Sequence, residues 1–157
     1  MKKILYIVFL IIILTGCTNS EINNISNKLE IDNLNCQIEE SIDTHGGFLG
    51  DGDYFVKLNC KNYQDTEIKI NWQELPLSSE LQDVMDMKYC DGKGCLNVYE
   101  RYQIPNITKG YYYFLDRHSE SINKKSAENI NNRASYNFTL GIYDSVNKVL
   151  YFYELDT

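Results

Sequence analysis

Leu34-Asn35-Cys36-Gln37-Ile38-Glu39-Glu40-Ser41-Ile42-Asp43-Thr44-His45-Gly46-Gly47-Phe48-Leu49-Gly50-Asp51-Gly52-Asp53-Tyr54-Phe55-Val56-Lys57-Leu58-Asn59-Cys60-Lys61-Asn62 is the stretch that decides how this chain folds. Leu34, Cys36, Ile38 and Ile42 alternate with polar neighbours, and so do Tyr54, Val56, Leu58 and Cys60. That is the period-two pattern of strands with one buried face. Between the two runs, His45 to Gly52 holds four glycines, a loop able to take positive φ repeatedly. A hairpin symmetric about Phe48 sets Cys36 opposite Cys60, Ile38 opposite Leu58, Glu40 opposite Val56 and Ile42 opposite Tyr54. A slip of one residue would turn the apolar set to the wrong face.

The same register bears on the cysteines. Cys36, Cys60, Cys90 and Cys95 allow three pairings. The hairpin favours Cys36 with Cys60, which leaves Cys90 with Cys95 across Asp91-Gly92-Lys93-Gly94. In the loop-entropy description the first bond is worth about 3 kcal/mol and the second about 2 kcal/mol. The competing reading is four buried free thiols. A four-cysteine zinc site is disfavoured, because the spacing lacks paired CxxC motifs.

Whether disulfides form depends on the compartment, and the chain start speaks to that. Met1-Lys2-Lys3 is followed by eleven apolar residues, Ile4 to Leu14, and then by Thr15-Gly16-Cys17. A positive start, a short apolar core and small residues before a cleavage point form a secretory signal. Eleven residues rise about 16 Å as a helix, too short to span a bilayer. Leu14-Thr15-Gly16-Cys17 resembles the lipobox of bacterial lipoproteins, which implies cleavage before Cys17 and a diacylglycerol on its sulfur. Two acyl chains suffice for stable anchoring. The expected organisation is a signal at 1–16, a lipidated cysteine with a polar tether at 17–33, and a globular domain at 34–157. The tether is rich in Asn, Ser and Glu, with a weak helical turn near Ile22 and Ile25.

Further along, Ile68, Ile70 and Trp72 alternate and read as a third strand, ended by Leu75-Pro76-Leu77. Ser79 with Gln82 makes a capping pattern, and Leu81, Val84, Met85 and Lys88 share one helical face, so the one clear helix lies near 79–88. Trp72 and this helix are expected to close one edge of the core. Leu96 to Ile104 reads as another strand. Gly110 to Asp116 is apolar on both faces, the mark of a central strand covered on both sides. Residues 117–133 form a long polar loop anchored by Ile122, Ala127 and Ile130. The end is a hairpin turning at Val146-Asn147, with Phe138 facing Leu155, Leu140 facing Tyr153 and Ile142 facing Tyr151. The fold class is therefore α+β, mainly antiparallel sheet, with about six to seven strands in hairpins.

The net charge of −7 becomes more negative once Lys2 and Lys3 are removed with the signal. Such a chain is repelled by nucleic acid and by anionic headgroups, so acyl chains rather than charge must hold it at a membrane. Abundant Asn, Ile, Lys and Tyr suggest an AT-rich genome. The candidate chemistry gathers at His45 with Asp51 and Asp53, and at His118 with Asp116 and Arg117. If these loops meet, they form a metal site or an acid–base pair; otherwise each histidine simply caps a turn or pairs with a nearby carboxylate. Gly50-Asp51-Gly52-Asp53 begins like a calcium loop but lacks its later ligands. Ser119 beside His118 has no nucleophile elbow around it. No phosphate loop, dinucleotide fingerprint or HExxH motif is present, and no cofactor is expected. Tyr111, Tyr113, Tyr151 and Tyr153 either fill a core or present an aromatic platform.

Over His45 to Gly52, Trp72 to Leu77 and Tyr111 to Glu120, the chain resembles a group of small lipoproteins of low-GC Gram-positive bacteria with no established activity. The resemblance implies an address, the extracytoplasmic membrane face, and carries over no catalytic residue. The leading expectation is a non-enzymatic surface protein that binds a peptide, a protein or a cell-wall ligand and no nucleic acid. The competing expectation is a hydrolase or metal-dependent enzyme using His45, His118 and their acids.

Overall fold

One antiparallel sheet unites the chain, because the last strand pairs with the first hairpin on one side and with its own hairpin partner on the other. The computed structural model describes residues 20–46, 50–91 and 94–157. The signal, Cys17, the loop tip at Phe48 and the Gly92-Lys93 turn lie outside the described residues. The main sheet is built from β1 (Gln37–Asp43), β2 (Gly52–Asn59), β3 (Gln73–Glu74), β6 (Gly110–Asp116), β7 (Asn137–Asp144) and β8 (Val149–Asp156). Their order is β1-β2-β8-β7-β6-β3, and every pairing is antiparallel. A separate two-stranded ribbon joins β4 (Tyr89–Asp91) to β5 (Gly94–Leu96). Four helices complete the described residues: α1 at 20–28, α2 (Thr66–Asn71), α3 (Ser79–Asp86) and α4 (Val98–Arg101). The class is α+β with strands predominating, as read from the sequence. None of the described helices is long and apolar enough to cross a membrane.

Apolar layers cover both faces of the sheet. On one face Phe55, Phe114, Phe138 and Tyr153 pack with α3, α4, Ala127 and Ile130. On the other, Val56, Leu58, Tyr143 and Phe152 pack with Ile25 of α1, with Leu29 just after it, and with Ile68 and Trp72. Alternate residues of β2 and β8 thus enter different cores, which is why these strands are apolar throughout. The terminal hairpin has the register expected: Phe138 with Leu155, Leu140 with Tyr153, Ile142 with Tyr151. Both disulfides form as the hairpin argument favoured, Cys36 to Cys60 and Cys90 to Cys95.

The first hairpin keeps its expected register only near the disulfide. Ile38 faces Leu58, but a bulge between Ile38 and Glu40 then moves Ile42 opposite Phe55 and Asp43 opposite Tyr54. The extra residue turns the strand over, so Ile38 joins the α1 face while Ile42 joins the α3 face. With apolar layers on both faces, a one-face alternation no longer dictates register.

Other expectations are corrected by packing. The supposed tether is helical from residue 20, and Ile25, Leu29, Ile31 and Leu34 are buried, so the globular part begins well before residue 34. Ile68 to Trp72 is not a strand: Ile68 and Trp72 lie one helical turn apart and are both buried, while Ile70 is 74% exposed. Trp72 belongs to the α1 side of the sheet, opposite α3, so the two do not close a common edge. In place of a strand over 96–104 stands α4, started by a capping box in which Asn97 and Glu100 exchange side-chain to backbone hydrogen bonds. Helix α3 is capped by Ser78 rather than Ser79. Strand β6 is covered on both faces but is the fifth of six strands, not a central one. Ile122 is fully exposed, whereas Ala127 and Ile130 do anchor the long loop. The four tyrosines form no platform: Tyr113 and Tyr111 pack on one face, Tyr151 and Tyr153 on the other.

Candidate functional site

The ends of β1 and β8 and the start of β2 converge where the glycine loop begins, and the acids gathered there divide between two faces. On the α1 face, β8 presents Glu154 and Asp156. Glu154 is buried, takes a hydrogen bond from the Thr139 hydroxyl at 2.8 Å and pairs with Lys28 at 2.5 Å. Arg117 stands 3.6 Å from Glu154 and 3.0 Å from Asp156, and also donates to the Phe138 carbonyl at 3.1 Å. His45 reaches Asp156 at 3.3 Å through Nε2 and Asp43 at 2.7 Å through Nδ1. Gly52 makes this possible, because a Cβ there would stand 2.6 Å from the His45 backbone.

His45 is therefore clamped between two carboxylates. Partial burial acts to lower its pKa, but the hydrogen bonds and charges of Asp43 and Asp156 outweigh it and hold the ring above its ordinary value. A histidine whose folded pKa is raised adds stability that is full below its unfolded value and disappears as pH rises through the folded one. The expected result is that the wild type loses its margin over His45→Gln between about pH 6 and pH 8. The pair is half-open to water, so the change should stay under about 1 kcal/mol. Thermal melts of both proteins across that range measure it, and a constant difference would refute the clamp.

His118 is elsewhere in the network, and the two histidines share no partner among the described residues. Its Nδ1 accepts from the Glu120 amide at 3.2 Å, which leaves the ring proton on Nε2, 3.1 Å from the Ser135 hydroxyl. That tautomer offers the hydroxyl a proton rather than a lone pair, the reverse of what a general base requires. Asp116 is buried and paired with Arg133 at 2.9 Å. Among the described residues no group of three or more His, Cys, Asp and Glu is placed to hold a metal ion.

On the α3 face of the same sheet end lies a pocket of about 260 Å³, lined by Thr44, Asp51, Asp53, Tyr89, Arg101 and Asp156, among others. Asp53 is 7% exposed. Its carboxylate accepts from the Thr44 hydroxyl and from Tyr102, whose hydroxyl is 2.5 Å away. It has no ion-pair partner among the described residues. The other buried acids are served differently. Asp65 pairs with Lys69 and Lys148, Asp116 with Arg133 and Glu154 with Lys28, while Asp144 takes two backbone N–H groups of the turn and the Asn147 amide. Two buried hydroxyls nearby, those of Tyr89 and Tyr153, also lack a partner among the described residues. Burial pushes both upward in pKa, and the negative charge of Asp53 adds to it. Arg101 sits over the Tyr102 ring at 5.7 Å and remains exposed.

A carboxylate carries about four lone-pair sites, and hydroxyls occupy two of those on Asp53. The remainder, with the free Tyr89 oxygen, suits an ammonium or guanidinium donor, for which charge-assisted hydrogen bonds are strongest. Sequence reading found Asp51 and Asp53 but missed Thr44, Tyr89, Tyr102 and Arg101. Only the Asn97 to Glu100 capping spacing signalled α4, the element that brings Arg101 and Tyr102 to the pocket. No protein-family model, curated protein or solved structure matches this chain, so the pocket stands on its own geometry.

Proposed function

We propose that this chain is a lipid-anchored binding protein of the extracytoplasmic membrane face that recognises a cationic group in the pocket around Asp53. The basic side chain of a peptide is the ligand that the chemistry fits best. The observation that carries the reading is the buried Asp53 carboxylate, held by two hydroxyls and in no ion pair among the described residues, beside an unpartnered Tyr89 hydroxyl. Leaving such a group uncompensated costs free energy that a bound cation would recover. The net charge of −7 steers basic ligands towards the molecule. The anchor reading rests on Leu14-Thr15-Gly16-Cys17, and two disulfides suit an oxidising compartment.

The test is calorimetric titration of the detergent-extracted full chain with a trilysine amide. Asp53→Asn should weaken binding about tenfold or more, the worth of one charge-assisted hydrogen bond, with little change in the melting temperature. Equal affinity for both proteins would dismiss the pocket as the site. In the same preparations, Cys17→Ala should move the protein from the membrane fraction to the medium.

A further inference from the structure

Helix α4 separates two concavities: Arg101 faces the Asp53 pocket, and Tyr99 faces a cleft of about 320 Å³ on its other side. Leu75, Leu77, Ile104 and Ile107 form the apolar walls of this cleft, and Ile142 of β7 its floor. One carboxylate stands at its edge in a fixed position. The Tyr99 hydroxyl donates to Gln82 Oε1 at 3.1 Å, and Gln82 Nε2 donates to Asp86 at 2.9 Å. Asp86 is exposed and has no ion pair among the described residues. Its helix also carries Glu80 and Asp83 and no basic residue.

We infer that this cleft takes a leucine-sized aliphatic side chain of a basic peptide, with a neighbouring cationic group of that peptide on Asp86. This rests on the reading that the chain binds cationic ligands, and it makes the ligand amphipathic. A volume at the low end of ligand pockets, which run from about 300 to 1,000 Å³, fits one or two side chains. The Asp86 carboxylate at its edge and the net charge of −7 disfavour an anionic lipid headgroup. They also disfavour a second copy of this chain, which would bring α3 carboxylates face to face. The Tyr99–Gln82–Asp86 relay lets the peptide find its carboxylate already oriented.

The probes are two peptides of equal charge, acetyl-Lys-Leu-Lys-Leu-Lys-amide and acetyl-Lys-Ser-Lys-Ser-Lys-amide, titrated into the detergent-extracted full chain. The leucine peptide should bind about tenfold or more tightly than the serine peptide, as expected for burying one such side chain. Ile107→Ser should reduce that gap to about threefold or less. Asp86→Asn, on an exposed side chain, should weaken the leucine peptide severalfold. Methyl resonances of Ile104, Ile107 and Ile142 should shift with the leucine peptide and not with the serine peptide, a readout that needs no variant. Equal affinity for the two peptides, or shifts confined to residues around Asp53, would overturn the cleft proposal and leave the Asp53 reading standing. Failure of both peptides to bind would remove the two together.

Discussion

Deleting the last five residues, Tyr153–Thr157, is expected to abolish the folded domain. Strand β8 is not a terminal appendage but the strand through which the β1–β2 hairpin joins the rest of the sheet. The deletion removes Tyr153 and Leu155 from the α3 core, where Tyr153 is 2% exposed and packs against Phe138 and Tyr102 at ring separations of 5.9 Å. On the opposite face it removes Glu154 and Asp156, leaving Lys28 and Arg117 without their acids. Loss of one large buried side chain costs about 2–5 kcal/mol, and two of them alone approach the 5–15 kcal/mol that holds a typical domain together. Circular dichroism and limited proteolysis measure the outcome. A cooperative melt within a few degrees of wild type would mean that the β2–β8 pairing contributes far less than its burial implies.

Replacing Cys36 and Cys60 together by serine is expected to cost about 3 kcal/mol, or roughly 10 °C in melting temperature for a domain of this size. The bond closes a loop with a sequence separation of 24 and ties the start of β1 to the end of β2 beside the bulge. Both sulfurs are buried with Ile31, Leu34 and Leu58. Cys90 and Cys95 are separated by only 5 positions on an exposed ribbon, so their replacement should cost about 2 kcal/mol at most. Thermal melts of the two double variants decide the order. If the Cys90/Cys95 variant were the less stable, loop length would not be the governing quantity. The comparison also matters for function, because Asp53 lies on β2, and loosening the hairpin should loosen the pocket.

The acids of the candidate pocket were legible, but their roles were not. Asp51 and Asp53 stand out in sequence beside glycines, and His45 stands out beside both. Nothing local distinguishes Asp53, which faces Tyr102 across the α3 core, from Asp51, which is exposed. The distinction depends on α4, whose own segment carries both a strand-like alternation and a helix cap. His45 and Arg117 meet at Asp156 only because β8 lies between β2 and β7. His118 departs from them because side chains at successive positions leave a strand end in different directions.

What the sequence by itself determined is local. The Phe138–Leu155 hairpin has strong alternation and a short turn, so its register follows from period and turn alone. Helix α3 has a cap and an apolar face of its own, and the Cys36–Cys60 pair follows from the near end of the first hairpin. Tertiary structure decided everything in which a short segment had two affordable conformations: α1 in place of a tether, α2 and α4 in place of strands, the bulge in β1, and the place of β8 between distant partners. The physical reason is that six or so residues carry too little propensity to choose for themselves. Burial of Ile25, Ile68, Trp72 and Val98 against one face or the other of a sheet covered on both sides makes the choice for them.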